Sequence, residues 1–227
     1  MFASRPRRFA DRHEAGRQLG ERLRSLRLAR PVVFALPRGG VPVAAEVAAA
    51  LSAPLDLVLV RKIGAPLQPE LAVGAVVDGE ESETVLNAEI VALTGTSEAY
   101  IAVARERELA EIERRRQLYL AARARLDPRG RDVVVVDDGL ATGATARAAL
   151  HALRRRHPAR LILAVPVAAP DTLSAMRGEA DEIVCLRQEE LFRGIGGFYD
   201  DFHQLTDEEV VRLLDAATAR HAKEPEV

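Results

Sequence analysis

The chain of 227 residues is 48% hydrophobic and 29% charged, and its 32 Lys+Arg against 34 Asp+Glu leave a formal charge of -2. That length can bury a core without staples and excludes a peptide-sized or disulfide-framework scaffold, and the near-neutral balance gives no sign of a wholesale nucleic-acid or membrane binder. The one cysteine, Cys185, excludes an intramolecular disulfide, and its apolar setting predicts a buried, inert thiol and fits a reducing cytoplasm.

Charges interrupt residues 1–19, so no secretory leader is expected there, and Glu46, Pro54 and Asp56 interrupt the apolar stretch 41–60, so no membrane span is expected. An amphipathic helix is predicted over 9–29, with Leu19, Leu23 and Leu26 on one face, and then a strand over 32–36. The loop Pro37-Arg38-Gly39-Gly40 leads into a helix over 41–51 and a second strand over 55–61. A Gly/Pro-containing loop, a strand over 71–77 and a turn over 79–83 follow, then a short helix over 87–93 and a long one over 98–125. The plainest strand is 132–136, followed by Asp137-Asp138-Gly139-Leu140-Ala141-Thr142-Gly143-Ala144-Thr145 and a helix to about 156. Strands over 161–165 and 182–186 close the sheet. A helix over 207–222 enters through the capping box Thr206-Asp207-Glu208-Glu209.

Short β-branched runs alternating with Ala/Leu/Arg segments of helical period argue for an α/β class with a parallel sheet flanked by helices. The chain reads as one domain over 1–227, with a helical insertion at about 64–128 and a small C-terminal hood at about 187–205.

The chemistry concentrates after Val133-Val134-Val135-Val136, a run that reads as a strand buried on both faces. Two carboxylates, Asp137 and Asp138, then arrive together at its carboxyl end, where open α/β sheets place ligands. The small and hydroxylic residues Ala141, Thr142, Gly143, Ala144 and Thr145 run into a helix, leaving bare amides at its positive end for a phosphate. Acids for sugar hydroxyls beside amides for a phosphate describe a site for a phosphorylated ribose; a plain capped turn is the alternative. A P-loop fails for want of its Gly-x-x-x-x-Gly-Lys-Ser/Thr, and Gly194-Ile195-Gly196-Gly197 does not follow a strand as a dinucleotide fingerprint must. His13, His151, His157, His203 and His221 show no metal-ligand spacing, so no protein-bound catalytic metal is indicated.

The segment 133–145 resembles the phosphoribosyl-pyrophosphate (PRPP) signature of type I phosphoribosyltransferases, departing at Gly139, where an aliphatic residue is usual. Leu36-Pro37-Arg38-Gly39-Gly40 is similar to that family's pyrophosphate loop, and Arg61-Lys62 resembles the Arg-Lys of its adenine and orotate members. The only lysines are Lys62 and Lys223, which draws attention to the first. The resemblance implies transfer of ribose 5-phosphate from PRPP to a nitrogen acceptor, with release of pyrophosphate and Mg2+ carried on the diphosphate rather than by protein ligands. It implies that Asp137 and Asp138 hold the 2′ and 3′ hydroxyls and stabilise positive charge on the ring. It further implies that Ala141 to Thr145 hold the 5′-phosphate and that Arg38, Gly39, Gly40 and Lys62 bind pyrophosphate. A Pro37–Arg38 peptide that is cis, or that switches to cis when PRPP binds, is also implied, with the Arg38 side chain facing the carboxyl end of the sheet near Asp137.

Ala141 stands where 6-oxopurine enzymes carry an Asp, which argues against that acceptor and leaves another nucleobase. Phe192, Phe198 and Tyr199 are candidates to stack on the acceptor ring, against the alternative of a small satellite core. The partners implied are PRPP and a small-molecule acceptor in nucleotide metabolism, with neither nucleic acid nor membrane; a homo-oligomer stays open. A PRPP- or nucleotide-binding regulatory module without efficient transfer is the competing reading.

Overall fold

The computed structural model describes residues 8–78, 82–120, 123–190, 192 and 194–222. Five parallel strands form the main sheet in the order β2, β1, β6, β7, β8: β1 (Val32–Ala35), β2 (Leu55–Leu57), β6 (Asp132–Val136), β7 (Arg160–Ala168) and β8 (Glu182–Gln188). Between β2 and β6 the chain builds a second, antiparallel sheet of β3 (Val60–Ala65), β4 (Gln68–Val77) and β5 (Glu83–Leu86). The helices α1 (Arg12–Arg24), α2 (Gly40–Ala50), α3 (Ala88–Thr94), α4 (Glu98–Leu120), α5 (Ala144–Arg155), α6 (Pro170–Ala175) and α7 (Asp207–His221) complete the architecture.

Alternation along β6 explains why the main sheet is covered on both faces. Val134 and Val136 pack into a core with Leu19 and Leu23 of α1, Val43 and Val47 of α2 and Leu214 of α7. Val133 and Val135 enter another with Ala149, Leu150 and Leu153 of α5. Burial on both sides favours an apolar residue at successive positions, which is the valine run, while Asp132 at its start is buried with its Oδ2 accepting from the Ala29 amide at 2.7 Å.

The predicted strand over 55–61 is divided in the structure: β2 belongs to the main sheet and β3 to the second. Leu57, Val58 and Leu59 are all buried, so hydrophobicity continues across the point where the chain changes sheets and gives no sign of the break. β3 then pairs antiparallel with β4, with Lys62 opposite Ala75. The opening helix is shorter than predicted and starts at its cap, where the Asp11 side chain accepts from the Glu14 amide. The long helix is described as far as Leu120, and β7 continues to Ala168. β5 and α6 are additions to the predicted elements; of the predicted turn at 79–83, residues 79–81 lie outside the described residues, as does Lys223. The capping box of α7 is present, with Thr206 accepting from the Glu209 amide and Glu209 from that of Thr206. Among the described residues no helix is long and apolar enough to cross a membrane.

Candidate active site

Parallel pairing of β1 and β6 sets Ala35 beside Val136, so the loops that leave the two strands emerge side by side. They pack without room for side chains between them. A Cβ on Gly39 would stand 2.1 Å from Asp138 Oδ2, and one on Gly40 would stand 2.7 Å from the Val136 carbonyl oxygen. Glycine is therefore required by close approach of the two loops, a reason additional to clearance for a ligand. The Pro37–Arg38 peptide is cis.

The Gly40 amide donates to the Leu36 carbonyl at 3.0 Å as α2 begins. It is thus occupied within the turn, and the pyrophosphate contact predicted for it does not fit this arrangement. Gly39 precedes α2 as its cap residue, with no side-chain cap hydrogen bond.

At the end of β6 the two acids differ. Asp138 is buried, and its Oδ2 accepts from Arg12 Nε at 2.9 Å. The Arg12 guanidinium lies 3.8 Å from the Phe202 ring centroid and donates through Nη1 to the His203 carbonyl at 3.0 Å. The Tyr199 hydroxyl donates to the Asp138 carbonyl at 2.6 Å. Asp137 is half-buried, and its Oδ1 accepts from the Asp138 amide at 2.9 Å. Burial, then the charge of Asp138, raises the Asp137 carboxyl well above the ordinary carboxylate range, while Arg12 and Lys62 pull it back. Burial also raises Asp138, with Arg12 opposing it most strongly. Of the two carboxylates expected on the ribose hydroxyls, Asp138 is thus paired with Arg12 and Asp137 is the more exposed.

Beyond the acids, Gly143 adopts φ +72° and precedes α5 with no side-chain cap. The first amides of α5 thus keep the positive end of the helix uncapped, whereas Asp11, Asn87 and Thr206 cap α1, α3 and α7. Ala141 and Thr142 are exposed, Gly143 is buried, and Ala144 and Thr145 are half-buried. The turn rests on α6, where the Thr172 hydroxyl donates to the Ala141 carbonyl at 2.7 Å. At Gly139, the space an aliphatic side chain would need is filled by Ile195, whose Cγ2 would lie 2.9 Å from an added Cβ. The departure from the usual signature is compensated from the hood.

The basic pair on β3 separates by strand alternation. Arg61 donates through Nε to Glu108 Oε2 of α4 at 2.8 Å, while Lys62 is exposed and among the cations acting on Asp137. Arg38 has its Nη1 3.8 Å from Asp207 Oδ1. Asp207 also accepts from the Tyr119 hydroxyl and lies 3.8 Å from Arg114. The Tyr119 phenol is pushed up to about 12, by burial first and then by Asp207.

In the hood, Tyr199 is 2% exposed and packs on Phe9 and Phe202 with centroids at 5.5 and 5.1 Å. This buried packing removes it from the stacking candidates. Phe192 and Phe198 are half-buried and stack on each other at 5.4 Å. Cys185 is half-buried and its thiol is pushed up to about 11 by burial, which disfavours the thiolate. Among the described residues no group of three or more His, Cys, Asp or Glu gathers as a metal site.

Sequence reasoning missed Arg12 and Asp207. Arg12 meets its partner across 126 positions, and no local pattern marks it among the many arginines.

A protein of Mycobacterium tuberculosis (strain ATCC 25618 / H37Rv), named "Putative phosphoribosyl transferase Rv0571c", is 46% identical over 209 residues, covering 92% of this chain and 47% of the relative. The chain therefore spans about half the length of the curated relatives it matches. The crystal structure of TT1426 from Thermus thermophilus superposes with a TM-score of 0.77 at 42% identity, covering 91% of this chain and 97% of that one. The model of the phosphoribosyl transferase domain matches residues 13–203. The chain belongs to the phosphoribosyl transferase domain family.

Proposed function

We propose that this chain transfers ribose 5-phosphate from PRPP to a nitrogen acceptor and releases pyrophosphate. The observation that carries the reading is the uncapped start of α5 at Gly143, on the same loop as the acid pair and beside the Gly39 loop. These are donors for a phosphate, anionic charge for a sugar ring and close backbone approach for a diphosphate, gathered at the carboxyl end of parallel strands.

In this reading the acceptor nitrogen forms a bond to the anomeric carbon as the bond from that carbon to the diphosphate oxygen breaks. The electron pair leaves with pyrophosphate, and the acceptor loses a proton. Positive charge grows on the ring, and the fixed negative charge at Asp137 and Asp138 stabilises it more in the transition state than before it. Thr142 to Thr145 hold the 5′-phosphate, and Arg38, Lys62 and the Gly39 amide meet the diphosphate. Mg2+ would come with the diphosphate, and it would neutralise charge on the leaving group. The donors here, an exposed lysine and backbone amides, suit diphosphate oxygens and require no protein ligand to the ion.

Ala141, exposed and with no carboxylate to address a purine N7, favours an acceptor other than a 6-oxopurine. Phe192 and Phe198 are the aromatics that would meet its ring. The test is pyrophosphate release from PRPP and Mg2+ with a panel of adenine, orotate, uracil, hypoxanthine and simple amines. Acceptor-dependent release supports transfer. Tight PRPP binding without release from any acceptor supports a binding module instead.

A further inference from the structure

The acid pair is built asymmetrically, and the asymmetry comes from a part of the chain outside both site loops. Asp138 Oδ2 is in contact with the backbone of the pyrophosphate loop, since a Cβ at Gly39 would fall 2.1 Å from it. On its other side stands Arg12, whose side chain, like that of Asp138, is only 9% exposed. The Arg12 guanidinium is itself fixed on two further sides, by the Phe202 ring and by the His203 carbonyl. The Asp138 backbone is pinned by Tyr199 through its carbonyl, and its amide is held by Asp137. Among the described residues Asp137 has no such partner cation in contact; the charged groups acting on it there are Asp138, Arg12 and Lys62, and it is the more open of the two.

A buried carboxylate stays charged only where a cation and hydrogen bonds compensate its lost hydration. Arg12 supplies both for Asp138. Two adjacent carboxylates otherwise favour sharing one proton. We propose that Arg12 is a positioning residue that divides the acid pair: it holds Asp138 as an inner anion under the pyrophosphate loop and leaves Asp137 as the outer acid that meets the ribose. This rests on the reading of the loop as a ribose-phosphate site. The inner anion supplies a fixed field beside the ring, and the outer acid supplies the hydroxyl contact. Because Arg12 lies on α1 and is clasped by Phe202 and His203, docking of the hood and integrity of the acid pair become one property.

The groups that face the pair are Arg12 from α1, Lys62 from β3 and Tyr199 from the hood, and a test must separate Arg12 from the others. Aspartate side-chain carboxyls are titrated by carbon-13 NMR in the wild type, Arg12→Lys, Arg12→Met, Asp138→Asn and Arg12→Met/Asp138→Asn, and PRPP with Mg2+ is titrated into each by calorimetry. Arg12→Met is expected to move the Asp138 midpoint upward by about one pH unit or more and to weaken PRPP about tenfold. Arg12→Lys keeps the charge but not the three-sided guanidinium contacts, and is expected to move the Asp138 midpoint and weaken PRPP less than Arg12→Met does.

The paired substitution removes both buried charges. It should be more stable than Arg12→Met alone and should show the two losses of PRPP affinity as strongly non-additive. If Arg12→Met does not fold, the stability of the double variant decides: a fold recovered there supports the pairing, and one not recovered overturns it. An Asp138 midpoint unmoved in Arg12→Met would overturn the inference. A wild type that binds no PRPP would instead overturn the proposed function, and the carboxyl titration would still report whether Arg12 holds the inner anion.

Discussion

Arg38 Nη1 lies 3.8 Å from Asp207 Oδ1, which ties the loop after β1 to the first residue of α7. The side chains are 30% and 27% exposed, so water screens the pair and it holds Arg38 only weakly. Tyr119 and Arg114 of α4 meet the same carboxylate, and Asp207 thus links the helical insertion, the loop and the C-terminal helix.

Asp207 competes with a diphosphate for Arg38 in this arrangement. Asp207→Asn is therefore expected to tighten pyrophosphate binding by about two- to fivefold, the scale of an exposed ion pair. The gain should vanish when Arg38→Ala is added. Calorimetry on the four combinations reads the coupling; weaker binding in Asp207→Asn would show that Asp207 orients Arg38 toward the ligand instead.

Gly143 has φ +72°, and a Cβ there would stand 3.1 Å from Met176 Sδ. Gly143→Ala is expected to cost about 1–2 kcal/mol of stability, because a side chain is disfavoured in the left-handed region and Met176 must also yield. Phosphate affinity should fall as well, since the same turn aims the first amides of α5. Chemical denaturation paired with a ribose 5-phosphate titration measures both, and an unchanged stability would contradict the turn described.

Lost hydration, and then the charge of Asp138, hold the Asp137 carboxyl above its ordinary range. A raised folded pKa means that the native state binds more protons than the unfolded state above the unfolded value of 3.8. Stability from this group is then present below that value and is lost as pH rises through the folded pKa. Asp137→Asn should accordingly raise the melting temperature at pH 7, with the gain shrinking as pH is lowered toward 4, while turnover falls. The Asn oxygen can still accept from the Asp138 amide. A melting temperature lowered at pH 7 would contradict this assignment of strain.

Tyr199 and Phe198 are neighbours with different tasks. Tyr199→Phe keeps the packing on Phe9 and Phe202 but loses the hydroxyl bond to the Asp138 carbonyl, a loss of about 1–2 kcal/mol. Phe198→Ala should raise the acceptor KM while leaving PRPP affinity within about twofold. Steady-state kinetics in each substrate, beside thermal melts, distinguishes them; equal effects on PRPP and acceptor would remove Phe198 from the acceptor side.

How much of this could be read from the letters depends on distance along the chain. The valine run of β6 and the small residues from Ala141 to Thr145 are local signals, and they locate a doubly covered strand and an uncapped helix start. Likewise Thr206 and Glu209 announce their own cap. Arg12 on Asp138 and Arg38 on Asp207 join elements far apart in sequence, and an arginine looks the same in a helix whether it meets water or a buried acid. The division of 55–61 between two sheets is hidden for another reason: residues buried on both sides of the break carry the same apolar character. Tyr199 shows the limit of composition, since an aromatic cluster beyond the last strand can form a satellite core and a hood at once.

If the turn into α5 is the 5′-phosphate site of a PRPP-binding loop, with Asp137 on the ribose, a crystal structure of the chain with PRPP and Mg2+ tests it most directly. The 5′-phosphate is expected within hydrogen-bond reach, about 3 Å, of the amides from Thr142 to Thr145, with a ribose hydroxyl on Asp137 and Asp138 still paired with Arg12. A phosphate bound away from that turn, or a ribose turned away from Asp137, would contradict it.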